Sequence, residues 1–117
     1  MDRTVLIVDD HPSFRTSARR VLEDAGYEVI GEAQDGESGV AAARALRPAL
    51  VLLDVQLPDL DGFVIAARIT SRDDAPIVVL TSSRDGSEFV GMVGPSGARG
   101  FIPKAELSGP ALEALLR

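Results

Sequence analysis

Thr4-Val5-Leu6-Ile7-Val8, followed at once by Asp9-Asp10, is the stretch that decides the fold. Val5 to Val8 leave no polar side, so a strand here is covered on both faces, as in a parallel sheet, and two charges stop it. The same pattern returns at Leu50-Val51-Leu52-Leu53-Asp54. It appears once more, ending in hydroxyls instead of acid, at Ile77-Val78-Val79-Leu80-Thr81-Ser82-Ser83. Tyr27-Glu28-Val29-Ile30-Gly31 and Arg99-Gly100-Phe101-Ile102 supply two further short strands.

Helical spacing fills the intervals. Pro12 suits a first turn, and Phe14, Ala18, Val21, Leu22 and Ala25 form one apolar stripe that Gly26 ends. Asp35-Gly36 opens a second helix with a narrow face of Val40, Ala43 and Leu46, closed by Pro48. After a loop from Val55 to Asp61, Gly62 to about Thr70 offers Phe63, Ala66 and Ile69 to a core. The segment from Gly86 to Gly97 keeps Phe89, Val90 and Val93, but its glycines and Pro95 predict a short or loosely held helix. Ser108-Gly109-Pro110 starts a last helix with Ala111, Leu112, Leu115 and Leu116. The alternation predicts a (βα)5 arrangement: a doubly wound five-stranded parallel sheet with helices on both faces. Ligands of such sheets bind beyond the carboxyl ends of the strands.

A chain of 117 residues, 45% hydrophobic, has the size of one domain. The absence of cysteine excludes a disulfide framework, a thiolate metal cage and a Cys nucleophile. A net charge of -6 argues against direct nucleic-acid binding by this domain. The apolar runs are strand-sized and no signal-type stretch opens the chain, so the expected location is the cytoplasm, with no membrane partner. Of the 12 basic residues only Lys104 is a lysine.

Asp9 and Asp10 follow the first strand, Asp54 the third, Thr81 the fourth and Lys104 the fifth, so the predicted topology gathers them on one edge. Clustered carboxylates repel unless a cation compensates, and an oxygen-rich set with only His11 as imidazole favours Mg2+ or Mn2+ over zinc. Such a site suits phosphoryl transfer: Asp54 attacks phosphorus, Lys104 neutralises its oxygens and Thr81 donates a hydroxyl hydrogen bond. Helix capping and loop solubility are the competing reading of the same acids. His11 reads as a cap or surface residue, Phe101 as core, and Gln56 either as a loop residue or as a backbone ligand. No phosphate-binding glycine motif for a nucleotide is present.

The pieces Val8-Asp9-Asp10-His11-Pro12, Leu53-Asp54-Val55-Gln56-Leu57-Pro58, Asp61-Gly62 and Gly97-Ala98-Arg99-Gly100-Phe101-Ile102-Pro103-Lys104 together resemble the receiver domain of bacterial two-component response regulators. The resemblance spans essentially the whole chain, residues 1–117. It implies a flavodoxin-like sheet of order 2-1-3-4-5, with Asp10 as a Mg2+ ligand, Asp9 acting on the metal largely through water, and Asp54 as ligand and phosphoacceptor. Gln56 would give its backbone carbonyl to the metal. Thr81 matches the hydroxyl that follows phosphorylation, Lys104 the phosphate-contacting lysine, and Phe101 the aromatic switch position. The implied donor is a phosphohistidine on a sensor histidine kinase or histidine phosphotransfer protein, and His11 is not the phosphorylated group. The role is a switch that also supplies transfer and autodephosphorylation chemistry, with phosphorylation-dependent homodimerisation through the fourth-helix, fifth-strand and fifth-helix face.

Two details depart from the commonest pattern: Ala105 stands where proline usually follows the lysine, and Phe101 lacks a tyrosine hydroxyl. The motifs look most like receivers joined to a C-terminal helix-turn-helix transcription module. A chain stopping at Arg117 in mid-pattern is expected to be a minimal protein or to lead into such an output domain. Two other functions share this sequence: a phosphorylation-independent interaction module of the same fold, and a small phosphohydrolase using Asp54, against which the lack of a substrate cap counts.

Overall fold

The computed structural model describes residues 2–117. Five strands, β1 (Thr4–Val8), β2 (Glu28–Ala33), β3 (Leu50–Asp54), β4 (Ile77–Ser82) and β5 (Gly100–Pro103), form one parallel sheet of order β2-β1-β3-β4-β5. Helices α1 (Pro12–Asp24), α2 (Gly36–Leu46), α3 (Gly62–Thr70), α4 (Val90–Val93) and α5 (Gly109–Leu116) connect and cover it. This is the flavodoxin-like (βα)5 architecture that the strand and helix patterns predict.

Strand side chains alternate between two cores, because successive residues of a strand point to opposite faces. Val5, Ile7, Leu50, Leu52 and Val79 pack with Ala18 and Leu22 of α1 and Leu112 of α5. Leu6, Val8, Val51, Leu53, Val78 and Leu80 pack with Val40 of α2, Ile65 and Ala66 of α3, and Phe89. Burial on both faces explains why Val5 to Val8 of β1 and Leu50 to Leu53 of β3 are apolar throughout, up to the carboxylates that follow them.

Three helix starts are fixed by side chains that satisfy orphan backbone N–H groups. Asp35 accepts from Ser38 N at 2.8 Å, Asp61 from Phe63 N at 2.7 Å and Ser108 from Ala111 N at 3.1 Å. Asp59 adds a link across the fold: its carboxylate accepts from Gly36 N at 2.7 Å and Glu37 N at 3.0 Å, pinning the loop after β3 to the start of α2. These amide donors hold its carboxyl below the usual carboxylate range.

One boundary differs from the sequence pattern. Strand β2 starts at Glu28 and continues past Gly31 to Ala33, with a register shift opposite Val5 and Leu6. A Cβ at Gly31 would lie 2.6 Å from Leu46 Cδ1, so glycine there lets α2 seat against the strand instead of ending it. Strand β4 takes in Thr81 and Ser82, which the hydroxyl run had placed at its close. The segment from Gly86 to Gly97 holds a 3-10 turn, Ser87–Phe89, and the four-residue α4, which is the short helix its glycines predict.

Candidate functional site

Parallel strands in this order bring the carboxyl ends of β1, β3, β4 and β5 to one edge. Asp54 is the last residue of β3 and pairs in register with Thr81 on β4. Val55 N donates to Thr81 O at 2.9 Å, so the chain leaves β3 still tethered to its neighbour. Gly62 completes the floor. Its N donates to Val55 O at 2.8 Å, and a Cβ there would lie 2.6 Å from Val55 Cα.

Asp9, Asp10, His11 and Asp54 each present a ligand atom, all within 4.8 Å of one another. Asp9 and Asp54 are buried, at 1% and 2% exposure, whereas Asp10 is partly open and His11 exposed. Asp9 Oδ1 accepts from His11 N at 2.8 Å and faces the His11 ring, with Nδ1 at 3.0 Å. The same Nδ1 lies 3.1 Å from Asp10 Oδ1. Arg15, one turn into α1, donates to Asp9 O at 2.7 Å and to Glu32 Oε1 at 2.9 Å, fixing the acidic loop against β2.

Lys104 opens a 3-10 turn directly after β5 and reaches back over the sheet edge. Its Nζ lies 2.7 Å from Asp9 Oδ2 and 3.3 Å from Asp54 Oδ2. The Asp9 contact is close but off the hydrogen-bond direction, leaving Asp9 Oδ2, like Asp10 Oδ1 and Thr81 Oγ1, buried without a hydrogen-bond partner among the described residues. Asp54 Oδ1 accepts from Gln56 N at 3.1 Å. Burial, with the charge of Asp9 adding to it, pushes the Asp54 carboxyl above its ordinary value against the opposing pull of the Gln56 N–H and Lys104.

One ammonium cannot neutralise three carboxylates. Buried carboxylate oxygens without hydrogen-bond partners, in a set dominated by oxygen, fit a hard divalent cation, and the cluster can hold one.

The structure brings together Asp9, Asp10, Asp54, Thr81 and Lys104. Gln56 lies beside Asp54 through its backbone and forms an isolated bridge with Asp61, while its side chain is exposed. Phe101 stands apart from the carboxylates and is half-buried. Its ring fills the space over Gly86, where a Cβ would come within 2.5 Å of Cε1, and lies 5.8 Å from the Phe89 ring. Phe89 is in turn 5.5 Å from Phe63. His11 is exposed at the N-cap of α1, as a cap or surface residue should be, yet makes no side-chain cap bond and turns its ring to the acids. Phe14, which the sequence offered only as a core residue, also reaches the site: Lys104 Nζ lies over its ring. Spacing along α1 carried no signal for this contact, which depends on the direction of the Phe14 side chain.

A curated transcriptional regulatory protein, PdtaR of Mycobacterium tuberculosis, is 37% identical over 115 residues, covering 91% of this chain and 56% of that protein. BvgA of Bordetella pertussis, named as a virulence factors putative positive transcription regulator, is 41% identical over 106 residues, covering 91% of this chain and 51% of its own. The chain thus spans about half the length of these curated relatives. Among solved structures, the signal receiver domain of the putative response regulator NarL from Mycobacterium tuberculosis superposes with a TM-score of 0.85 at 32% identity, covering 98% of this chain and 97% of that one. The CheX-CheY-BeF3-Mg+2 complex from Borrelia burgdorferi matches with a TM-score of 0.84 at 26% identity, covering 97% of this chain and 85% of that one. The profile described as "Response regulator receiver domain" matches residues 5–116, and on that match the chain belongs to the response regulator receiver family.

Proposed function

We propose that this domain is a phosphorylation-controlled signalling switch whose phosphoacceptor is Asp54. The observation that supports it best is the convergence of three acids, one lysine and an unpartnered hydroxyl on a single sheet edge. Asp10, Asp54 and the backbone carbonyl of Gln56 would hold Mg2+, or Mn2+, with Asp9 acting largely through water. When bound, the cation supplies charge neutralisation at the phosphoryl oxygens.

The chain's own residues do the rest. A carboxylate oxygen of Asp54 forms the new O–P bond as the N–P bond of a phosphohistidine breaks, and the leaving imidazole takes up a proton. Lys104, anchored by Asp9, holds positive charge beside the arriving group. Thr81 Oγ1, in register beside Asp54, has a free hydroxyl to donate to it. Phe101 packs along β5 as the aromatic whose rearrangement accompanies that of Thr81. Water then cleaves the acyl phosphate, returning the carboxylate and phosphate.

The donor is a sensor histidine kinase or histidine phosphotransfer protein, and the output is a changed interaction surface that controls transcription through an attached helix-turn-helix module. Phosphorylation-dependent homodimerisation belongs to the same proposal. The likeness to transcription regulators over half their length supports this setting. No described helix is long and apolar enough to cross a membrane, in keeping with a cytoplasmic role. Intact-mass analysis after incubation with Mg2+ and a phosphohistidine donor tests the proposal. One acid-labile phosphoryl group should appear and be lost in D54A; no incorporation from any competent donor overturns it.

A further inference from the structure

We propose that Phe14 is a positioning residue for Lys104, its ring holding the ammonium where it can serve Asp54; this rests on the phosphoacceptor reading of Asp54. Lys104 Nζ lies over the face of the Phe14 ring, 4.5 Å from the centroid, while touching Asp9 Oδ2 at 2.7 Å and Asp54 Oδ2 at 3.3 Å. An ammonium has three donors, and two carboxylates with one π face are as many partners.

The distances show what the ring is for. Coulomb attraction strengthens with proximity, and the nearer carboxylate belongs to Asp9, which does not take phosphorus in this scheme. An aromatic face attracts a cation through its quadrupole without adding an oxygen that competes with the phosphoryl group. It thus adds a third contact that limits where the ammonium can sit while it reaches both acids. The ring itself is anchored: Phe14 is the third residue of α1, at the head of the stripe that continues through buried Ala18 and Leu22, and packs on the core shared by α1 and α5.

Leucine at this position keeps apolar bulk but has no quadrupole, whereas tyrosine keeps the face. F14L and F14Y therefore separate positioning from packing. Lys104 is the only lysine of the chain, so 13C-lysine labelling gives a single side-chain CεH2 signal. That signal should be displaced by the ring current in wild type and F14Y, and return to the free-lysine position in F14L. The initial rate of phosphoryl incorporation from acetyl phosphate with saturating Mg2+, read by intact mass, should fall about two- to fivefold in F14L, the range of an ordinary cation-π contact, and hold in F14Y. An F14L chain that incorporates phosphoryl at the wild-type rate overturns the proposal, as does an F14Y chain as slow as F14L. If wild type incorporates nothing from acetyl phosphate or from any competent phosphohistidine donor, the Asp54 reading fails instead. The lysine signal then decides alone: displacement lost in F14L supports the placement of the ammonium, and no change overturns it.

Discussion

Thr81 stands in register beside Asp54 with a fully buried hydroxyl that no described group accepts or donates to. A buried polar atom left in this state costs folding energy, and removing it removes the cost. T81V should leave the unphosphorylated domain as stable as wild type, or more stable by about 1 kcal/mol, in urea denaturation. The same variant should lose the conformational response to phosphorylation, read by comparing amide NMR shifts with and without phosphoryl donor.

Asp54 and Glu32 predict opposite pH behaviour. Burial raises the Asp54 carboxyl, so its stabilising contribution is complete below the ordinary carboxylate range and is lost as pH rises through the raised value. D54N is therefore expected to have a higher Tm than wild type at neutral pH in EDTA, the gap closing in acid. Glu32 is lowered, chiefly by Arg19 and with help from Arg15, against the opposing effect of burial. Its contribution is present above the ordinary value and lost as pH falls through the lowered one. E32Q should thus cost up to about 1 kcal/mol at neutral pH and nothing in strong acid.

A cation that binds only the folded acidic cluster stabilises the fold by mass action, about 2.7 kcal/mol at a hundredfold excess over Kd. Thermal melts with increasing Mg2+ should show a rising Tm in wild type. In D10N, which removes one of the carboxylate charges, the rise should be largely lost.

Lys104 is the cation that Asp9 and Asp54 share. K104M leaves two buried carboxylates without it and should cost about 3 kcal/mol in EDTA. Mg2+ should restore part of that stability, because it supplies positive charge to the same oxygens. Equal losses with and without Mg2+ would show that the site holds no cation.

Gly62 sits where a Cβ would press on Val55 Cα at 2.6 Å and on the Asp54 carbonyl, both backbone atoms that have no rotamer to change. G62A should cost about 1–3 kcal/mol by overpacking and displace Asp54 from its neighbours. Chemical denaturation and amide shifts at Val55 and Gln56 would register the two effects.

The sheet was legible in the sequence because Val5 to Val8 and Leu50 to Leu53 are covered on both faces and apolar throughout, the pattern of strands in a parallel sheet. The candidate site followed from topology: once Asp9, Asp54, Thr81 and Lys104 end or follow neighbouring parallel strands, they meet on one edge. The extent of β2 was not legible, because the glycine that reads as a stop is there for the Leu46 side chain across the sheet. Nor were the turned ring of His11 or the place of Phe14 under Lys104, since both depend on side-chain directions that spacing along one helix does not encode.

Phe63, Phe89 and Phe101 touch in sequence on one side of the sheet, and Phe14 meets Lys104 on the other. The middle ring of the three is carried by the 3-10 turn that leads into a four-residue helix whose Val90 and Met92 project into solvent. The Phe101 ring lies between Gly86, which has no side chain to meet it, and the Phe89 ring. In the proposed switch, any shift of Phe101 would therefore meet Phe89 first and reach the short segment that carries it, so the face beside that segment is where a partner would read the phosphorylated state.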